Sequence, residues 1–91
     1  MGVRIQIPSY LRRAVGVSPD IQVEGGTVLE CLRDLVRRHP RLEEAIFDDQ
    51  GKVLLKWMIY VNDRAYVGSS SLCHPVGNDD SIGLYPLSAG G

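Results

Sequence analysis

The sequence has little net charge, few cysteines and no long apolar run. Its 91 residues carry ten Lys and Arg against eleven Asp and Glu, a net charge of -1 that creates no general attraction for nucleic-acid phosphates. No apolar run approaches membrane-spanning length, and the opening MGVRIQIPS lacks the order of a signal peptide. Two cysteines, Cys31 and Cys73, do not make a disulfide framework. We therefore expect one cytoplasmic domain that binds neither nucleic acid nor membrane.

Alternating apolar and polar residues predict the strands. In VRIQI, Val3, Ile5 and Ile7 fall on one face, as in a strand with one buried side. Further strands are predicted in DIQVEGG (20–26), VLLKWMIYV (53–61), AYV (65–67) and SIGLYPL (81–87). Between the first two strands, SYLRRAVGVSP (9–19) is predicted to turn at its breakers. These two strands should therefore form a hairpin.

One long helix is predicted in GTVLECLRDLVRRHP (26–40). Thr27 and Glu30 have the spacing of a capping box, in which each side chain bonds a backbone N–H at the helix start. Four apolar residues form one stripe at helical spacing: Val28, Leu32, Leu35 and Val36. Pro40 ends the helix, and RLEEAIF (41–47) should add a shorter helical piece. The predicted class is α+β, with the helix packed across one face of a mixed sheet of about five strands.

The sequence finishes on LYPLSAGG, an apolar strand segment that runs straight into Gly90 and Gly91. Glycine is a poor residue for holding a chain end in place, because it has more conformational freedom to lose than any other residue. It suits an end that must be thin and free of side chains. Without further context, a frayed end or a cut at this position is the simpler interpretation.

The order of these elements, together with this ending, resembles a known family. The matching stretches cover nearly the whole chain: IPSYLRR, GTVLECL, YVND, NDDS and LYPLSAGG. They resemble the ThiS/MoaD group of ubiquitin-like sulfur carriers, and most of all the carriers of actinobacterial cysteine biosynthesis. The resemblance implies a β-grasp domain over residues 1–87 and a flexible Gly-Gly tail over residues 88–91.

The resemblance also implies a function for the tail. In this family a ubiquitin-activating-like adenylyltransferase uses ATP to adenylate the terminal carboxylate, which a sulfur donor then converts to a thiocarboxylate. A downstream biosynthetic enzyme takes the sulfur. Carried over to this chain, Gly91 supplies the carboxyl group, while Gly90, Ala89 and Ser88 thread into the partner's active site. The chain would then be a carrier and not an enzyme, with no bound cofactor of its own.

A docking surface for the partner is expected beside the tail. Met58, Tyr60 and Tyr85 are predicted to lie on the sheet face away from the helix, and Leu87 leads into the tail. Aromatic residues on such a face often mark an interface, although they also stabilise a sheet as cross-strand neighbours. Tyr85 is the strongest candidate because it is nearest the tail.

The cysteines give no independent activity. Cys31 is expected to be a small packed residue at the edge of the helix stripe. Cys73 neighbours His74, but a nucleophilic pair needs a third group and a pocket. A metal site needs more ligands than these two residues provide. We therefore expect neither a catalytic cysteine nor a bound metal.

Two other functions stay open. A ubiquitin-like modifier would use the same adenylate but join Gly91 to a lysine of a target protein. A β-grasp interaction module would leave the tail idle. The final sulfur acceptor is open as well, because carriers with this ending deliver sulfur to cysteine, thiazole, molybdopterin, a thiosugar or a tRNA base.

Overall fold

The computed structural model describes residues 2–16, 20–54, 56–66 and 72–86. Five strands and three α-helices follow one another along these residues, with a 3-10 turn between the second and third helices. In chain order they are β1 (Val3–Gln6), α1 (Ser9–Val15), β2 (Asp20–Val23), α2 (Val28–Arg38), the 3-10 turn (Pro40–Leu42), α3 (Glu43–Ile46), β3 (Trp57–Val61), β4 (Arg64–Tyr66) and β5 (Ser81–Pro86).

The strands form one mixed sheet in the order β2-β1-β5-β3-β4. β1 pairs antiparallel with β2 and parallel with β5, while β3 pairs antiparallel with both β4 and β5. The predicted pairing of the first two strands is therefore confirmed. β5, the last strand of the described residues, is the central strand of the sheet, with β1 on one side and β3 on the other.

The core lies between the sheet and helix α2. The inward residues of the strands and the stripe of α2 join one cluster of buried side chains, which includes Val3, Ile5, Ile21, Val23, Val28, Cys31, Leu32, Leu35, Trp57, Ile59, Val61, Ile82 and Leu84. Val36, the last residue of the expected stripe, is only partly buried against this cluster. Burial of these apolar side chains is the main force that holds the two layers together. The predicted α+β class, with about five strands and one main helix, is confirmed.

Helix α2 begins at the expected cap. The Thr27 Oγ1 atom accepts a hydrogen bond from the Glu30 N–H at 3.2 Å, which satisfies one of the free donors at the helix start. The Glu30 carboxylate accepts from the Gly26 N–H at 2.7 Å, one residue before the donor of a standard capping box. The cap therefore also holds the loop that leads into the helix.

The segment between β1 and β2 is a helix where the sequence predicted a turn. Pro8 is the N-cap of α1 with φ -60, and Gly16 ends the helix in the left-handed conformation with φ 71. The Gly16 N–H donates to the Arg12 carbonyl at 2.7 Å, a glycine C-cap. Leu11 is buried in the core. The prediction was wrong because seven residues are too few to show a helical period, and the breaker that suggested a turn instead ends the helix.

Strand β3 is shorter than predicted. It begins at Trp57 and not at Val53. Val53 pairs instead with Phe47 in an isolated antiparallel bridge, and the Leu54 N–H donates to the Ile46 carbonyl at 2.8 Å. The apolar run therefore divides its pairing between the end of α3 and the sheet, which periodicity within the run does not reveal.

Candidate functional site

The outer face of the sheet carries the aromatic residues predicted to mark a docking surface. Along β3 the side chains alternate between buried and half-buried, so Met58 and Tyr60 lie on the face away from the core. In β5, Tyr85 is opposite Met58, and Gly83 is opposite Tyr60. Tyr85 is 47% exposed, which is high for a large aromatic residue. The predicted placement of these three side chains on one outer face is therefore confirmed.

The two tyrosines contact each other across the strands. The ring centroids of Tyr60 and Tyr85 are 5.3 Å apart with an interplanar angle of 89°, which is the edge-to-face arrangement that aromatic quadrupoles favour. A shallow groove of about 750 Å³ runs beside the pair, lined by Gln6, Met58, Tyr60, Asn62, Asp63, Ser81, Gly83, Tyr85 and Pro86. The pair is at once a cross-strand contact within the sheet and an exposed surface at the end of β5.

The end of strand β5, which leads to the tail in the sequence, is paired with strand β3. Pro86, the last described residue, is opposite Trp57 at the start of β3. The Trp57 indole is buried and donates from Nε1 to the Ala45 carbonyl at 2.9 Å, which ties β3 to helix α3. Leu87, predicted for docking, and tail residues 88–91, predicted to carry and present the reacting carboxyl group, lie outside the described residues. Their predicted roles stay predictions.

Two of the stretches that carried the family resemblance are bonded to each other. Asn62 in YVND donates from Nδ2 to Asp80 Oδ1 in NDDS at 3.2 Å. It also accepts from the Ser81 N–H at 3.1 Å. A hydrogen bond from the Gly77 N–H, followed by the one from Asn62, lowers the pKa of Asp80 below its usual 3.8. Sequence reasoning placed Asn62 in a turn but gave it no bond to the later loop; its side chain, which tolerates positive φ and bonds nearby backbone, was the available signal.

The cysteines differ in their surroundings. Cys31 is fully buried in α2, as expected, and burial, followed by the charges of Asp34 and Glu30, raises its pKa to about 11. Cys73 is an exposed free thiol. Within residues 2–16, 20–54, 56–66 and 72–86, no group of three or more His, Cys, Asp or Glu side chains could hold a metal ion.

The helices of the described ranges are short or amphipathic. None of them is both long enough and apolar enough to cross a membrane.

Comparison with known proteins identifies relatives over the whole chain. No protein-family model matches it. The sulfur carrier protein CysO of Mycobacterium tuberculosis is 30% identical over 93 residues, and all of each chain is covered. Among solved structures, the Amycolatopsis orientalis BexX/CysO complex contains a chain with a TM-score of 0.82 at 30% identity, covering 99% of this chain and 100% of that one. The small archaeal modifier protein 1 of Haloferax volcanii has a TM-score of 0.81 at 26% identity, covering 98% of both chains.

The mixed five-stranded sheet, the helix packed across it and these neighbours define a ubiquitin-like protein of the β-grasp fold. The predicted fold family is confirmed. The chain belongs to the sulfur carrier proteins of the CysO type. Such proteins are small carriers and not enzymes, and the CysO of Amycolatopsis orientalis forms a complex with a partner protein, BexX.

Proposed function

We propose that this sulfur carrier holds its sulfur as a thiocarboxylate on Gly91. The observation that carries the proposal is the similarity to the CysO carrier of Mycobacterium tuberculosis, which covers all of this chain and all of that one, together with the glycine pair Gly90 and Gly91. Tail residues 88–91 then come after Leu87, which follows the central strand β5. The tail enters the active site of an activating enzyme, while the folded domain stays outside.

The proposed reaction has two steps. The Gly91 carboxylate attacks the α-phosphate of ATP on the activating enzyme, forming an acyl-adenylate and releasing pyrophosphate. A hydrosulfide-level donor then attacks the acyl carbon and displaces AMP, so that one carboxyl oxygen is replaced by sulfur. A free carboxylate is a poor electrophile, and adenylation supplies the leaving group that it lacks. The narrow, dry pocket that such chemistry needs favours glycine over any residue with a side chain.

The folded domain contributes the docking surface. Met58, Tyr60 and Tyr85 lie on the outer face of the strands nearest the tail, and Leu87 follows them. A partner that covers this face would hold the start of the tail in register with its nucleotide site. ATP belongs to that enzyme and not to this chain, and we assign the reaction to the cytoplasm, where ATP is available.

The test is the intact mass of the protein after incubation with soluble host extract, ATP and sulfide. We expect a species in which one oxygen is replaced by sulfur, mapped to the peptide that ends in SAGG. A variant that lacks Gly91, and one with a single alanine added after it, should not be converted. If the unmodified chain stays unchanged while a known carrier is converted in the same extract, the tail is idle and the proposal is wrong.

A ubiquitin-like modifier is the second candidate, favoured by the similarity to the small archaeal modifier protein 1 of Haloferax volcanii. The adenylate would be the same, but a lysine amine of a target protein would attack it in place of the sulfur donor. Adducts in which residues ending in Gly91 are joined to lysines of other proteins, abolished by deletion of Gly91, would support this function. Their absence in an extract that yields the thiocarboxylate would exclude it there.

A further inference from the structure

The ring of Tyr85 occupies the space above Gly83. Both residues point to the outer face of β5, where Gly83 is opposite Tyr60. Gly83 is buried although it has no side chain. A Cβ atom built on it would be 2.9 Å from Tyr85 Cε2 and 3.6 Å from Tyr60 Cβ. Since real Cβ contacts essentially never fall below 3.0 Å, any side chain at position 83 would force the Tyr85 ring to move.

The backbone does not require glycine at position 83. The glycines with positive φ in the described ranges are Gly2, Gly16 and Gly51. Gly83 is not among them and is an ordinary strand residue within β5. Glycine in the interior of a strand is unfavourable and often marks a site where another group approaches closely. The group that approaches here is the Tyr85 ring, so the ring explains the glycine.

The Tyr85 ring is contacted from two sides. Gly83 provides the space beneath it, and the edge-to-face contact with Tyr60 sets its angle. The exposed part of the Tyr85 ring lines the groove at the end of β5. A side chain that is already held in its binding orientation has less conformational freedom to lose when a partner docks.

We propose that Gly83 is a positioning residue of the docking surface: it leaves room for the Tyr85 ring against Tyr60 and so presents that ring to the activating enzyme in one orientation. The inference rests on the proposed function, because it concerns the partner that would take the tail. It assigns Gly83 no contact with the tail or with nucleotide.

A double-mutant cycle of Gly83→Ala and Tyr85→Ala tests, in the isolated protein, whether the Tyr85 ring is the reason for glycine at position 83. Alone, Gly83→Ala should lower the urea midpoint and shift the Tyr60 ring proton signals towards those of Tyr85→Ala. In the Tyr85→Ala background the same substitution should raise the midpoint, because alanine in a compatible strand position restricts the unfolded chain. If Gly83→Ala has the same effect in both backgrounds, the ring is not what requires glycine, and the proposal is overturned.

The same four proteins test docking through the rate of thiocarboxylate formation in host extract with ATP and sulfide. Gly83→Ala should raise the half-saturating carrier concentration about two- to tenfold, as expected for a lost oriented aromatic contact, with the maximal rate unchanged. It should add nothing in the Tyr85→Ala background. Gln22→Ala, on the edge strand β2, serves as the control and should change neither value.

The possible failures are distinguishable. If Gly83→Ala moves the ring but leaves the half-saturating concentration unchanged, the positioning role in docking is overturned while the proposed function stands. If the unmodified chain is never converted to the thiocarboxylate, the proposed function and the docking role are both overturned. The Tyr60 proton signals still decide whether Gly83 sets the position of the Tyr85 ring.

Discussion

Asn62 and Asp80 are joined by a side-chain hydrogen bond of 3.2 Å between residues 18 positions apart in the chain. The Ser81 N–H donates to Asn62 Oδ1, and the Asn62 N–H donates to the Ser81 carbonyl at 2.8 Å. The turn after β3 is thereby bonded to the first residue of β5. These bonds help to set the register of β5 against β3, in which Val61 is opposite Ile82.

Replacement of Asn62 should show what this turn contributes. Asn62 has φ 55, which glycine adopts freely and alanine does not. Asn62→Gly should lower the free energy of unfolding by about 1 kcal/mol, because the bond from the Ser81 N–H is lost. Asn62→Ala should cost about 1 kcal/mol more through backbone strain. Urea unfolding followed by the fluorescence of Trp57, the single tryptophan, measures both; equal stability of Asn62→Gly and the unmodified protein would contradict the contribution of the amide.

The helix that the sequence did not predict should be needed for stability. Leu11 in α1 is 6% exposed, whereas the adjacent Tyr10 is 48% exposed. Leu11→Ala should lower the free energy of unfolding by about 2–4 kcal/mol through lost burial and the cavity left behind. Tyr10→Ala is the matched control and should change it by less than about 0.5 kcal/mol. Urea unfolding by circular dichroism decides the point, and similar losses for the two variants would show that α1 does not pack as described.

Asp34 should make stability depend on acid pH. Partial burial by itself raises its pKa, but hydrogen bonds from the Glu24 N–H, Arg37 and Arg38 outweigh burial and lower the pKa from 3.8 to about 2. The Arg38 Nε atom is 2.7 Å from Asp34 Oδ2. A carboxylate with a lowered pKa in the folded state stabilises the protein fully above its unfolded pKa. That contribution is lost as the pH falls from about 4 to about 2.

Asp34→Asn tests this assignment. The variant should be less stable than the unmodified protein at pH 7, because its amide cannot form the ion pairs with the two arginines. The loss should be only about 1 kcal/mol, because ion pairs with exposed arginines contribute little. The difference should shrink as the pH falls from about 4 to about 2, leaving the smaller slope due to other acidic groups. Urea unfolding at a series of pH values gives both curves. Parallel curves over this interval would show that Asp34 does not titrate with the lowered pKa.

The two cysteines should react at very different rates. Cys73 is exposed, whereas Cys31 is fully buried with its pKa raised to about 11. Since the thiolate is the reactive form, an aromatic disulfide reagent at neutral pH should modify one thiol quickly and the second only on unfolding. Cys73→Ser should abolish the fast phase and Cys31→Ser should leave it. A fast phase that persists in Cys73→Ser would mean that Cys31 is accessible.

The alternation of residues was enough to predict most of the sheet. Met58 and Tyr60 were placed on the outer face because the period of a strand is two residues, and their half-buried positions confirm it. The start of α2 followed from Thr27 and Glu30, whose side chains act within one helical turn. Both features depend only on residues that are close together in the chain, so the sequence is enough to predict them. The roles of residues 87–91 rest on the resemblance and stay predictions.

The sequence by itself determined the strand faces and the main helix, because each depends on residues close together in the chain. Only the tertiary structure decided which strand is central, that Leu11 belongs to the core, and that Asn62 bonds Asp80. It also decided that Gly83 lies beneath the Tyr85 ring and beside Tyr60. These relationships join segments that are distant in the chain or depend on which side chain fills a space, and they form only when burial of the apolar faces brings the strands together.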